Sequence, residues 1–257
     1  MTQILSDASS ASALLAGKVA VVTGGGNGIG EVCARLFVSE GARVIVADYS
    51  GRQDEVASTL GTSAHAVQVD VRVEDSVDQL FARAEKHFGP VDILINVAGT
   101  PGGRRGDDVS RQEFDDLISV HLLGTMLCNQ RAIRSMSVAG GSIVNFSSVA
   151  SLGGDDLISP AYAAAKAGIN ALTKSLAVRY GPDNIRVNAI APGFTLSAKN
   201  QAAPAEIVAE RAAKAALGRA GQPAEQAAVA AFLASDRSSF VTGVVLPVDG
   251  GWSCRLA

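Results

Sequence analysis

Cysteine is scarce in this chain, and what there is lies scattered. Cys33, Cys128 and Cys254 form no CxxC pair and share no histidine spacing. That excludes a disulfide framework or a zinc site, leaves no metal expected, and fits a reducing, cytoplasmic setting. An excess of basic charge is also missing: the net charge is −3 and there is no Lys/Arg run, so nucleic acid is not an expected partner. No apolar run reaches the roughly 18–20 residues of a membrane span. Residues 1–16 lack the basic start and sustained apolar stretch of a signal peptide. They are expected to be a mobile N-terminal extension, followed by one domain over 17–257. What the chain does have is apolar bulk: 47% of its 257 residues, against 18% charged, enough to bury a core of that size.

Short apolar runs alternate with amphipathic stretches. Lys18-Val-Ala-Val-Val-Thr23, Arg43-Val-Ile-Val-Ala-Asp48, His65-Ala-Val-Gln-Val-Asp70 and Val91-Asp-Ile-Leu-Ile-Asn96 read as strands buried on both faces. Residues 142–147, 185–190 and 243–249 complete the set. Helices are expected over 31–40, closed by Gly41, over 75–88, and over 110–136, where Ser110 and Glu113 have capping-box spacing. A further helix follows the Ser159-Pro160 N-cap and N1 pair and ends near Tyr180, and an Ala-rich helical region occupies 203–235. Such alternation predicts an α/β fold, a single doubly wound parallel sheet covered by helices on both sides.

Two segments carry chemistry. Thr23-Gly-Gly-Gly-Asn-Gly-Ile-Gly30 closes a strand and opens a helix, where backbone approaches a phosphate and a helix N-terminus supplies positive potential. A plain structural turn would read the same way, but Asp48 ends the next strand, where a carboxylate accepts from ribose hydroxyls and repels a 2′-phosphate. NAD is therefore expected rather than NADP; Arg52 is either a solvated helix-start residue or the one nearby cation that would favour NADP. Asp70 accepts from an adenine amino group or caps the following loop. Asn96-Val-Ala-Gly99 passes close to a ribose or is an ordinary Gly-terminated strand.

The second segment holds Tyr162 and Lys166, four residues apart on one helix face. A tyrosine near pKa 10 is a poor base at neutral pH, and a nearby ammonium favours its phenolate. Such a pair recurs by chance, but Ser147-Ser148 ends the preceding strand on the same edge, where a hydroxyl can hold the oxygen whose proton Tyr162 takes or gives. The combination points to a nicotinamide-dependent alcohol–ketone oxidoreductase.

From about Gly17 to Trp252 the chain resembles the short-chain dehydrogenase/reductases. The resemblance is carried by Thr23–Gly30, Asp70, Asn96-Val-Ala-Gly99, Ser148, Tyr162-x-x-x-Lys166, Pro192-Gly193 and Val248-Asp-Gly-Gly251. It implies a Rossmann fold, with Tyr162 as general acid/base, Ser148 orienting the substrate oxygen, and Lys166 lowering the tyrosine pKa while holding the nicotinamide ribose. The cofactor-binding set it implies is Gly24, Asn27, Gly28, Ile29, Gly30, Asp48, Asp70, Val71, Asn96, Ala98, Gly99, Tyr162, Lys166, Pro192, Gly193, Thr195 and Ser197. Ile190 and Gly193 would line the approach. The partners implied are a small alcohol or ketone and further copies of the chain, a homotetramer before a dimer.

Three positions depart from the family pattern. Val97 replaces a frequent second Asn. The interval from Ser148 to Tyr162 is one residue longer than the commonest family spacing, which makes Ser147 and Ser151 lesser candidates. His121 stands where the family has a catalytic Asn; it is included among the catalytic candidates, against a core histidine packed between Ile118 and Leu122. The substrate walls are expected at 100–108, 149–158 and 198–216, without an aromatic platform, and with Arg104 and Arg105 as candidates for an anionic group. Reduction of a 3-oxoacyl thioester is the second reading, and a non-catalytic NAD-binding sensor the third.

Overall fold

The computed structural model describes residues 13–100, 102–103, 108–154, 158–197, 200 and 203–255. Seven strands, β1 (Val19–Thr23), β2 (Arg43–Asp48), β3 (Ala64–Gln68), β4 (Ile93–Asn96), β5 (Gly141–Phe146), β6 (Ile185–Pro192) and β7 (Val245–Val248), form one sheet in the order β3-β2-β1-β4-β5-β6-β7. Every pairing is parallel. The helices are α1 (Gly28–Ser39), α2 (Gln53–Leu60), α3 (Glu74–Phe88), α4 (Arg111–Leu117), α5 (Gly124–Met136), α6 (Pro160–Tyr180), α7 (Ala205–Ala213) and α8 (Pro223–Ala234).

Successive side chains on a strand point to opposite faces, and this sheet uses both. Val19, Val21, Ile45, Leu94, Ile143 and Val187 face the core shared with α3, α5 and α6. Ala20, Val22, Val44, Val46, Ile93 and Val144 face the core shared with α1, α2 and α8. That is why these strands read as continuous apolar runs rather than alternating ones. Leu15, within the expected N-terminal extension, is buried in the second core and donates its N–H to the Glu40 carbonyl at 2.9 Å.

The strand ends facing α1 bring Gly24, Asn96, Ser147 and Pro192 to one edge of the sheet. The order reverses between β1 and β4, so this edge opens at a topological switch point, where ligands of doubly wound sheets bind. Just inside it runs a buried polar chain: the Asn96 side-chain amide donates to Asn129 Oδ1 (2.8 Å) and Asn145 Oδ1 (2.9 Å), and Asn145 donates to Thr173 Oγ1 (3.1 Å). It ties β4, β5, α5 and α6 together below the site.

Three local expectations change. The helix expected over 110–136 keeps its Ser110 cap, whose hydroxyl accepts from Glu113 N at 3.1 Å. Its middle, Ile118–Leu123, widens into a π-helix, a form that re-aims side chains and favours functional sites. The Ala-rich stretch is two helices, divided where Gly218 takes a positive φ of 68° and restarted by the Gln222–Glu225 capping box with Pro223 at its start. Ser159 occupies its cap position, yet its buried hydroxyl makes no capping bond.

The turn between β1 and α1 is tight enough to demand glycine. A Cβ on Gly30 would lie 2.1 Å from the Gly24 carbonyl oxygen and 3.1 Å from Gly25 N, both backbone atoms. Gly30→Ala is therefore expected to lower unfolding free energy by about 1–3 kcal/mol, the usual cost of forcing atoms into packed space. Urea unfolding checks this; an unchanged midpoint would show that the turn can shift without penalty.

Candidate active site

The glycine-rich turn forms the outer half of the site. A Cβ on Gly24 would meet Ala98 N at 2.8 Å, so β1 and the segment after β4 touch through backbone. Asn27 occupies the cap position of α1 without spending its side chain on a capping bond. Asp48 closes the turn from β2, accepting from Gly26 N and from Ser50 N at 2.9 Å each. A helix N-terminus, crowded glycines and a carboxylate at the end of β2 together fit the phosphates and ribose of a dinucleotide.

Other expected cofactor residues are differently engaged. Both Asp70 oxygens are held by the Arg72 guanidinium, with Nη2 to Oδ2 at 2.6 Å and Nε to Oδ1 at 2.9 Å. This pairing, above all, keeps the Asp70 carboxyl below its ordinary range. Val71 is buried, at a place where a Cβ on Gly124 would meet it at 2.7 Å. Asn96 turns inward to the polar chain, which leaves only its backbone on the ligand side.

The inner half is a cavity of about 740 Å³ whose walls include Ser148, Tyr162, Lys166 and His121, with Asn27, Ile29, Gly99, Pro192, Gly193, Thr195 and Ser197. Strand β5 delivers both serines, but they part. Ser147 is spent on structure: its hydroxyl lies 3.0 Å from Ser151 Oγ and donates to the Lys166 carbonyl at 3.1 Å. Ser151 is held in turn by Asn170 at 2.8 Å. Ser148 accepts from Ala150 N and is hydrogen-bonded to Tyr162. Of the three serines, Ser148 is the one aimed at the phenol.

Tyr162 and Lys166 lie on the same face of α6, as their spacing requires, with the Lys166 ammonium 5.6 Å from the ring centroid. It donates to the Phe146 carbonyl at 2.7 Å. Burial pushes the lysine down to about 7. Burial also raises the Tyr162 phenol above its ordinary value, and the Ser148 hydrogen bond only partly opposes this. For Tyr162 the loss of water is the larger influence, and the Lys166 ammonium sits over the ring and against a carbonyl.

His121 projects from the π-helix onto the cavity wall, so it is not merely packed between Ile118 and Leu122. Its ring meets Tyr162 edge-on, with centroids 5.2 Å apart and planes at 90°. Its Nε2 lies 3.4 Å from Thr100 N, and its buried Nδ1 has no partner among the described residues. A Cβ on Gly99 would lie 2.6 Å from the ring, so glycine at 99 makes room for histidine at 121. Burial first, and then the Lys166 charge, push His121 down to about 3.

Opposite, Thr195 is buried, its hydroxyl donating to the Gly193 carbonyl at 3.2 Å. A Cβ on Gly28 would come within 3.6 Å of Ser197, so this segment reaches the glycine-rich turn. Phe194, Arg211 and Trp252 also line the cavity. Arg211 falls within the 198–216 segment expected to bound a substrate but is not singled out there, because it looks like any helix-surface arginine; Phe194 and Trp252 fall outside the expected segments. The aromatic surface thought missing is thus present. Arg104 and Arg105 lie outside the described residues, as do 101, 106–107, 155–157, 198–199 and 201–202 of the expected substrate walls.

Comparison with known proteins agrees with this geometry. A family model described as enoyl-(acyl carrier protein) reductase matches residues 23–253. The cis-4-hydroxycyclohexanecarboxylate dehydrogenase of Sinomonas cyclohexanicum is 42% identical over 92% of this chain and 96% of its own. The meso-2,3-butanediol dehydrogenase of Serratia marcescens is 38% identical over 91% and 94%. A 3-oxoacyl-(acyl-carrier-protein) reductase of Aquifex aeolicus is 36% identical over 92% and 98%.

The buried histidine sets a pH dependence. His121 is neutral when folded down to about pH 3, whereas the unfolded chain protonates it near 6.5. Between these values the unfolded state binds the extra proton, so the histidine's effect on stability worsens as pH falls through that window. Relative to His121→Asn, the unmodified protein is expected to lose up to about 1.4 kcal/mol more per pH unit there. Denaturant unfolding of both proteins across the window tests this, and parallel curves would contradict it.

Proposed function

The chain belongs to the short-chain dehydrogenase/reductase family and is an oxidoreductase; from that premise we propose that it transfers a hydride between NAD and a compact secondary alcohol or its ketone. The observation that carries this reading is the convergence of Ser148, Tyr162 and buried Lys166 on one cavity next to a dinucleotide-compatible turn. The substrates named for two relatives, a hydroxycyclohexanecarboxylate and a butanediol, are both secondary alcohols.

In this reading the amides of Gly24, Asn27, Gly28, Ile29 and Gly30 at the start of α1 hold the pyrophosphate. Asp48 accepts from the adenosine ribose and repels a 2′-phosphate. Thr195 and Ser197 lie on the nicotinamide side, with Pro192, Gly193, Ala98 and Gly99 as backbone walls. Bound NAD would supply the acceptor for the carbinol hydrogen and its electron pair. Ser148 orients the substrate oxygen, and Tyr162 removes or returns the hydroxyl proton. Lys166, pushed down to about 7, changes charge near neutral pH and, when charged, favours the phenolate. Neutral His121 fixes the Tyr162 ring and the Gly99–Thr100 backbone, standing where relatives in the family carry Asn.

Reduction of a 3-oxoacyl thioester uses the same groups, so a thioester belongs beside secondary alcohols in the assay. We further infer a cytoplasmic homo-oligomer, a tetramer before a dimer. Supporting this are the reduced cysteines and apolar side chains left open on the long helices, such as Val178, 82% exposed, and Phe114, 42% exposed.

Tyr162→Phe keeps the ring but removes the transferable proton. Turnover, followed as NADH absorbance, is expected to fall about 100- to 10,000-fold while NAD binding persists; a near-normal rate would assign the acid/base to another residue. Purified protein is expected to favour NAD over NADP, with Asp48→Ala narrowing the ratio of their kcat/KM values. Equal use of both by the unmodified protein would remove Asp48 from cofactor choice.

A further inference from the structure

Beyond the residues that handle the proton, the described wall of the cavity carries a further cation. Arg211, in the last turn of α7, lines the same cavity as Ser148 and Tyr162. Its guanidinium lies over the Phe194 ring, 5.6 Å from the centroid, and that ring is itself part of the wall. One turn on, the Lys214 ammonium lies 5.5 Å from the ring centroid of Trp252, another wall residue. Among the described residues of the wall the charged side chains are Lys166 and Arg211, and none is a carboxylate. Lys166 is engaged by the Phe146 carbonyl. Arg211 makes no ion pair among the described residues.

A guanidinium resting on an aromatic face keeps its N–H donors in the plane of its edge, where they match the two oxygens of a carboxylate. Stacking also limits its rotamers before a ligand arrives, which reduces the ordering cost of pairing. A wall whose described residues hold a fixed cation and no anion is thus complementary to a ligand with a negative end. The same chemistry would suit a cofactor phosphate, but the glycine-rich turn and the α1 N-terminus already offer donors for one.

We infer that Arg211 is a specificity-determining residue that receives a carboxylate of the substrate. The substrate class is then a compact secondary alcohol, or its ketone, with a carboxylate remote from the reacting carbon. This rests on the dehydrogenase reading above.

The test pairs each hydroxy acid with its neutral carboxamide: 3-hydroxybutyrate with 3-hydroxybutyramide, and 4-hydroxycyclohexanecarboxylate with its amide. Initial rates with NAD are measured on the full chain, on Arg211→Leu and on Arg211→Lys. In parallel, binding of each probe to the NAD-loaded proteins is read from the fluorescence of Trp252, the single tryptophan, which lies on the wall. The unmodified protein is expected to prefer the carboxylates. Arg211→Leu should reduce their kcat/KM about 10- to 100-fold, the effect of losing a charge-assisted hydrogen bond, mainly through KM. The amides and the KM for NAD should not move, and Arg211→Lys should fall between. Equal use and equal binding of acid and amide would overturn the inference. So would an Arg211→Leu variant impaired on both alike, or one that loses affinity for NAD. If no probe turns over but carboxylates still bind selectively through Arg211, the dehydrogenase reading fails and the carboxylate site stands.

Discussion

The loss of water around one ammonium group governs the whole site. Lys166 is 5% exposed and donates to a single backbone carbonyl, that of Phe146 at the end of β5. A charged amine gains little there and loses its hydration, so its proton is weakly held. Its neighbours follow the same rule. Tyr162 resists ionising, and His121 stays neutral. The fold imposes this environment by closing α6 over the ends of β5 and β6 and by pinning the Lys166 backbone through Ser147. A site of this kind changes charge near neutrality.

Rigidity beneath the cavity comes from the buried polar chain of Asn96, Asn129, Asn145 and Thr173. Each bond in it joins two elements, so β4, β5, α5 and α6 cannot shift independently. Such networks are costly when broken and restrictive when complete. The π-helix sits directly in front of this block. Its altered register turns His121 toward Tyr162, and the bare backbone of Gly99 accepts the ring. His121 and Gly99 therefore work as one unit: a larger residue at 99 would expel the imidazole.

Most of the scaffold was legible in the sequence. Runs such as Val19–Thr23 and Val91–Asn96 specify strands buried on both faces, and capping signals at Ser110 and Gly41 place helix ends. The candidate site was legible where spacing alone determines position, as for Tyr162 and Lys166, or where a residue ends a strand, as for Asp48 and Ser148. What escaped depends on non-local electrostatics or packing. Asp70 pairs with Arg72 because the chain turns back within two residues. The burial that raises the Tyr162 phenol is something no local pattern reports. Phe194, Arg211 and Trp252 meet only because the turn after β6, α7 and the segment after β7 converge on one cavity.

The ionisation of Lys166, on which the chemistry of the site depends, can be observed directly. With lysine side chains isotopically labelled, NMR titration of the full-length protein resolves the ε-CH₂ resonance of each residue, and Lys166→Met assigns the one in the site. Lys166 is expected to titrate near 7, well apart from exposed lysines near 10.4. A Lys166 resonance that titrates together with the others would show that the ammonium remains hydrated, and would contradict the account of a site ruled by desolvation.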